Sequence, residues 1–243
     1  MDRGIYMGVA GGIVQSKTLD IITSNLAGSN VAGFKKDLPV FNVQFLSQLA
    51  PSSQVGGGSK AFVNIDEVAT NFSQGVLTRT GNPVDVAISG DGFFVVEGNN
   101  ERLYTRRGDF TIDAGGFLAT KGGNRVFGDG GPIALGAGEI VISEDGTVTV
   151  NGENTGQLSV VTFPEPYAIR KVSGGLFAPT GEGSNEVASE NATILQGRLE
   201  SSNVSAVKEM VAMINALRAY ESHMKLIKGF DDITGQAIKM ANR

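Results

Sequence analysis

Apolar positions recur at helical spacing at both ends of the chain, over residues 5–34 and 204–241, while the long stretch between them alternates in short runs. In the first segment Ile5, Tyr6, Val9 and Ile13 share one arc, and Leu19, Ile22 and Leu26 lie on an arc rotated from it. A wide, drifting stripe suits a helix that touches more than one neighbour. Gly8, Gly11 and Gly12 each weaken that helix by roughly 1 kcal/mol relative to alanine. Gly28-Ser29-Asn30 signals its end, and Gly33 permits a sharp turn before Phe34. The closing segment is more regular. Val207, Met210, Ile214, Leu217 and Met224 follow the spacing of a heptad seam, with Glu221 in its polar slot. Ser201, Ser202, Asn203 and Ser205 are candidate N-caps, and Gly229 and Gly235 loosen the last turns.

Between Asp37 and Gly75 the signals are mixed. Phe41, Val43 and Phe45 alternate, Pro51-Ser52-Ser53 and Gly56-Gly57-Gly58-Ser59 read as flexible linker, and Phe62, Ile65 and Val68 fit helix or strand equally. From Gly75 onward the pattern is β. Val84, Val86 and Ile88 alternate with Asp85 and Ala87, predicting a strand with one buried face, and Gly90-Asp91-Gly92 turns the chain into Phe93-Phe94-Val95-Val96. Asp113-Ala114-Gly115-Gly116, Gly122-Gly123-Asn124, Asp145-Gly146 and Asn151-Gly152 then punctuate further short runs with residues that tolerate positive φ. The prediction is an α+β chain. Its N- and C-terminal helices pair as a coiled-coil-like unit around a central antiparallel all-β domain with short strands. The corresponding divisions are 1–36 with 199–243 as a discontinuous helical domain, 37–82 as a connecting segment and 83–198 as the β domain.

Composition sharpens this only in places. Glycine supplies 34 of 243 residues without a Gly-X-Y period, as expected for many tight turns rather than collagen. A formal charge of −5 with no long basic run argues against nucleic acid as a partner. There is no apolar run of about 20 residues to cross a bilayer. Cysteine is absent, which rules out disulfides and thiolate metal sites. Gly4–Val14 has a faint signal-peptide look, but Asp2 spoils its positive end and Gln15-Ser16-Lys17 continues the helix with no cleavage site, so no cleaved signal is expected.

Candidate chemistry is sparse. His223 is the one histidine and reads as a helix-surface residue rather than a general base. Asp231 and Asp232 are adjacent on a helix, where carboxylates diverge, so solvated charge is a better reading than a cation site. Gly90-Asp91-Gly92 starts like a dinucleotide loop, yet Val95 stands where the third glycine belongs and no helix follows, which leaves a hairpin turn. Arg107-Gly108-Asp109 reads as a turn between strands. No catalytic residue, cofactor site or metal site is expected. A pair of carboxylates for glycan cleavage stays open, because it needs spatial rather than sequence proximity.

Three sets of motifs, in order along the chain, carry a resemblance. Leu19-Asp20-Ile21-Ile22-Thr23-Ser24-Asn25-Leu26-Ala27 with Gly33-Phe34-Lys35 opens it. Thr80-Gly81-Asn82-Pro83, Asp85–Phe94 and Tyr104-Thr105-Arg106-Arg107-Gly108-Asp109-Phe110 follow. Leu199-Glu200-Ser201-Ser202-Asn203-Val204, Glu209-Met210-Val211 and Arg218-Ala219-Tyr220-Glu221 close it. Together they resemble the bacterial flagellar rod and hook axial proteins over nearly the whole chain. Gly28 and Val31 depart from the asparagine and threonine common in the family's first turn. The opening Met1-Asp2-Arg3-Gly4-Ile5-Tyr6 and the modest length look most like the proximal rod member, with the distal rod member next and the longer hook protein last.

The resemblance implies a non-enzymatic subunit of the basal-body rod, exported without a cleaved signal by the flagellar type III apparatus and polymerised in the periplasm. Its partners would be other copies, other rod and hook proteins, and the export apparatus. The terminal helices would form an inner tube that transmits torque and leaves an export channel. The residues expected at subunit interfaces are Leu19, Ile22, Asn25, Leu26, Gly33 and Phe34 at one end. At the other they are Asn203, Val204, Val207, Met210, Ile214, Leu217, Arg218 and Tyr220. Apart from the resemblance, such stripes more often form intramolecular core, and Asn25 and Asn203 read equally well as helix caps. The rivals of another class are a secreted β-rich hydrolase of cell-wall glycan and a ligand-binding β module.

Overall fold

The computed structural model describes residues 2–45, 61–98, 101–164, 167–180, 186–189 and 191–241. Two long helices flank the strands: α1 over Asp2–Gly28 and α2 over Ala206–Ala241. The first bond of α2 runs from Glu209 N–H to Ser205 O, 3.0 Å, so Ser205 precedes its first turn, and the helix continues through Gly229 and Gly235. Every ladder among the described residues is antiparallel, as short strands joined by tight turns require. The chain divides into two compact units. One holds 1–27, 36–71 and 204–243; the other holds 28–35 and 72–203.

In the first unit, strands Lys36–Phe45 (β1) and Ala61–Asn71 (β2) form a ribbon from Lys36↔Asn71 to Phe45↔Ala61, with a bulge between Val40 and Phe41. This stretch falls within the segment read as a connector. Asp37, Asn42, Asn64 and Glu67 interrupt the apolar alternation, and the bulge shifts its phase, so period-2 reasoning finds only fragments. The proline and glycine runs read as linker lie outside the described residues.

The second unit is built on a six-stranded sheet. Its order is Ile169–Lys171, Leu176–Pro179, Arg102–Thr105, Phe93–Glu97, Val160–Thr162 and Val187–Ala188. Phe93-Phe94-Val95-Val96 is apolar throughout because both faces of its strand are covered. Phe94 and Val96 point into a core with Val86, Ile88, Leu118 and Val126, while Phe93 and Val95 point into a second core with Tyr104, Phe163 and Phe177. The second core is aromatic, with edge-on contacts of 5.6 Å between Phe93 and Phe177 and 4.8 Å between Tyr104 and Phe163.

Strand Val86–Ser89 pairs with Thr193–Gln196 in a two-stranded ladder, and Val86, Ala87 and Ile88 are all buried, so the strand expected to bury one face is covered on both. Gly90-Asp91-Gly92 does turn the chain, but it links two separate ladders rather than closing a hairpin. A Cβ on Gly90 would press on Asn191 O. The Asn151-Gly152 pair does close a hairpin, between Thr147–Val150 and Glu153–Gln157, with both residues at positive φ (53° and 85°).

Candidate assembly surface

The two faces of α2 differ in what they carry. Glu209 and Ala216 are buried, and Met213, Tyr220, His223, Ile227 and Phe230 are half-buried, all recurring every three or four residues. This face turns toward α1. A Cβ on Gly8 would lie 3.0 Å from Ile227, and one on Gly11 would run into the His223 ring. The α1 glycines, which weaken an isolated helix, thus form a notch that admits α2 side chains. The opposite face carries the heptad seam seen in the sequence, and it is open: Val207 is 68% exposed, Met210 46%, Ile214 50%, Leu217 44% and Met224 45%. Arg218 beside it is exposed as well.

The other residues read as interface lie deeper. Ile22 and Val204 are buried, Gly33 is buried, and Leu19, Leu26, Phe34, Asn203 and Tyr220 are half-buried. Asn25 is 1% exposed. Its amide donates to Asp37 O at 2.8 Å and accepts from Asp37 N–H at 2.8 Å, so the side chain acts as a strand neighbour for β1 rather than as a cap. Asn25→Leu keeps the branching of the side chain and removes both bonds; it is expected to destabilise the helical unit by about 2 kcal/mol in equilibrium unfolding followed by circular dichroism. Lys36 on β1 pairs with Glu209 on α2. Asn203 N–H donates to Phe34 O at 3.3 Å and its side-chain amide to Ser73 O at 3.0 Å.

The turn after α1 closes through its backbone, with Val31 N–H on Gly28 O and Phe34 N–H on Val31 O, so the two departures from the family pattern leave it intact. Gly28 has a positive role there. The Phe34 ring lies where a Cβ on Gly28 would stand. The ring's other neighbour is the Lys171 ammonium, 4.0 Å from its centroid. Gly33, at φ 66°, passes flush against the backbone of Arg106, and its N–H donates to Glu200 O at 2.7 Å.

That turn delivers Lys35 into a fully buried ion cluster. Lys35 is 0% exposed, Glu200 1% and Arg106 4%. Lys35 Nζ donates to Glu200 Oε1 at 2.6 Å and to Ser73 O at 2.9 Å. Gly75 N–H also donates to Glu200 Oε1, at 2.8 Å. Arg106 reaches Glu200 Oε2 at 3.3 Å and Gly90 O at 2.6 Å, leaving its Nε without a hydrogen-bond partner. One carboxylate therefore answers two buried cations. Burial lowers the pKa of both Lys35 and Arg106 by more than the Glu200 carboxylate raises it. Each member belongs to a different motif set, and no linear spacing announces the meeting. The Arg107 guanidinium, also read as part of a turn, grips Asp109 through two bonds of 3.0 and 2.9 Å.

A concavity of about 440 Å³ between residues 134–137 and 150–155 has Glu153 as its one ionisable group, whereas glycan cleavage uses a carboxylate pair. Among the described residues no group of three His, Asp or Glu side chains could hold a metal ion.

The comparisons with known proteins fall on the same elements. Residues 87–150 match the family described as flagellar hook protein FlgE/F/G D1 domain, and residues 195–240 match the flagellar basal body rod FlgEFG protein C-terminal family. The chain is 34% identical to the flagellar basal-body rod protein FlgF of Caulobacter vibrioides, over 98% of each chain. The chain belongs to the flagellar basal-body rod protein family. Within that family the FlgF of Salmonella typhimurium is 32% identical, over 98% of this chain and 97% of its own. The FlgG of Borreliella burgdorferi is 33% identical over 98% of each. The rod family is structural, so this member is a structural rod subunit and not an enzyme. Membership implies assembly with other flagellar axial proteins. No helix among the described residues is long and apolar enough to cross a membrane.

Proposed function

We propose that this rod subunit polymerises with copies of itself through its terminal helices, which line an axial tube. The open seam of α2 carries this reading: a water-exposed row of Val207, Met210, Ile214, Leu217 and Met224. Rows of that kind on a soluble protein mark surfaces that another protein covers. The interface consists of those residues with Arg218 at their edge, joined by half-buried Leu19 and Leu26 of α1, while Tyr220 supports it from the α1-facing side of α2. Ile22, Asn25, Gly33, Phe34, Asn203 and Val204 support it from within the chain. The assembling segments are those read from the sequence as 1–36 and 199–243, whose helices pair in coiled-coil fashion across the α1 notch. The subunit leaves the cytoplasm through the flagellar export apparatus without a cleaved signal, builds the periplasmic rod, transmits torque and encloses the export channel. Of the rod segments, the proximal one fits its length and opening residues.

Ile214→Asp tests the reading by placing a charge in the seam. Burying that charge in a subunit contact costs several kcal/mol. The expected result is loss of incorporation into basal bodies and loss of swimming, with the melting transition of the β unit unchanged in the purified full-length chain. Normal motility in that variant overturns the assignment.

A further inference from the structure

Sulfur is distributed unevenly along this chain. Cysteine is absent, and the six methionines are Met1, Met7, Met210, Met213, Met224 and Met240, so none falls between residues 8 and 209. The β unit therefore holds no oxidisable sulfur, while α2 holds four of the six thioethers. Tryptophan is absent as well, which leaves methionine as the side chain most open to oxidation by peroxide. Two of the four stand in the open seam. Met210 is 46% exposed and Met224 45%, and they flank Leu217 at seven-residue intervals, so the three share one line along the helix. Met213 lies on the side that turns toward α1 and is half-buried. Met7 and Met240 are exposed but stand outside the seam.

We infer that Met210 and Met224 are oxidation sites whose state decides whether a free copy can join the assembly. The inference rests on the reading of that seam as a subunit contact and adds a chemical control over it. The oxidant is hydrogen peroxide. The thioether sulfur donates an electron pair to one peroxide oxygen, and the O–O bond breaks. The second oxygen leaves as hydroxide and becomes water by taking the proton of the transferred oxygen. Sulfur is thereby oxidised by two electrons to the sulfoxide, and the peroxide is reduced to water. A flexible apolar side chain becomes a polar one. Glu221 is already the charged member of the six seam positions Val207, Met210, Ile214, Leu217, Glu221 and Met224, so oxidation makes three of the six polar. Val207, Ile214 and Leu217 offer no side-chain donor to a sulfoxide oxygen, which is then buried at the full cost of its desolvation. Access gives the control a direction. A free copy exposes both sulfurs, whereas a copy whose seam is covered shields them.

Oxidation and incorporation are measured separately. Purified full-length chain and isolated basal bodies are each exposed to hydrogen peroxide, and sulfoxide at every methionine is followed by peptide mass spectrometry. In the free chain Met210 and Met224 are expected to oxidise at least about three-fold faster than Met213. Rates no higher than that of Met213 overturn the assignment of the site. In basal bodies both are expected to slow at least about ten-fold. Undiminished rates there overturn the seam reading itself. Cells then carry one of two double variants. Met210→Gln with Met224→Gln imitates the polarity of the sulfoxide, and Met210→Leu with Met224→Leu keeps the seam apolar at similar volume. The glutamine pair is expected in basal bodies at no more than about a tenth of the unaltered level, and the leucine pair at the full level. Full incorporation of the glutamine pair, with Met210 and Met224 of the unaltered chain still shielded in basal bodies, overturns the oxidative control and leaves the rod role standing. Equal loss in both pairs overturns it too, since polarity would then not decide the outcome.

Discussion

Glu200→Gln is expected to cost about 3–5 kcal/mol, because it strands the Lys35 and Arg106 charges in the interior of the β unit. That is a large part of the 5–15 kcal/mol by which a domain is stable. Lys35→Met is expected to cost clearly less, since it leaves Arg106 and Glu200 as a balanced pair and removes the buried excess charge. Urea unfolding of the three proteins checks the order, and a Lys35 variant weaker than the Glu200 variant would contradict this account of the cluster. The sign of the pH response follows from the same burial. The native pKa of Lys35 lies below its ordinary 10.5, so between those two values the unfolded chain binds more protons and stability from this group rises with pH. Lys35→Met is expected to flatten that alkaline rise.

Gly108→Ala is expected to be comparably severe for a different reason. The φ of Gly108 is not among the positive ones, so torsion does not demand glycine there; space does. A Cβ would fall on the carbonyl oxygen of Val86, in the strand that carries Val86 and Ile88 into the core. Backbone cannot rotate aside as a side chain can, so the strand itself must shift. The expected loss is about 4 kcal/mol, which corresponds to a fall in melting temperature of roughly 10 °C. Gly81→Ala is the control. Its φ of 77° strains alanine, but nothing lies within 4 Å of the new methyl, and the expected cost is about 1 kcal/mol. Differential scanning calorimetry separates the two; equal melting temperatures would refute the packing argument.

Periodicity revealed some of this molecule and concealed the rest for identifiable reasons. The helices and the hairpin turns were legible because their signals are local: heptad spacing, and Asn-Gly or Asp-Gly between alternating runs. The seam visible in α2 is the one left open to water, since it is made of Val, Met, Ile and Leu. The face that packs on α1 contains Glu209, Ala216, Tyr220 and His223, which no hydrophobic pattern selects. Its partner face is a set of glycines, and glycine reads as a flaw until the neighbour it admits is visible. Asn25 read as a cap because asparagine near a helix end usually is one, whereas here a strand runs alongside. The ion cluster was hidden for a simpler reason: Lys35, Arg106 and Glu200 meet only in three dimensions.

The placement of Glu200 has a consequence for the order in which this protein can become itself. A ribosome releases Lys35 and Arg106 long before residue 200 emerges. Until then the two cations lack the carboxylate that pairs with them, Val86–Ser89 lacks its ladder with Thr193–Gln196, and Leu77–Arg79 lacks its ladder with Arg198–Glu200. The β unit stays unfinished through most of the chain's passage and locks only as the last stretch before α2 arrives. Lateness of closure is thus written into the wiring, and it keeps the polypeptide pliable until its synthesis is nearly done.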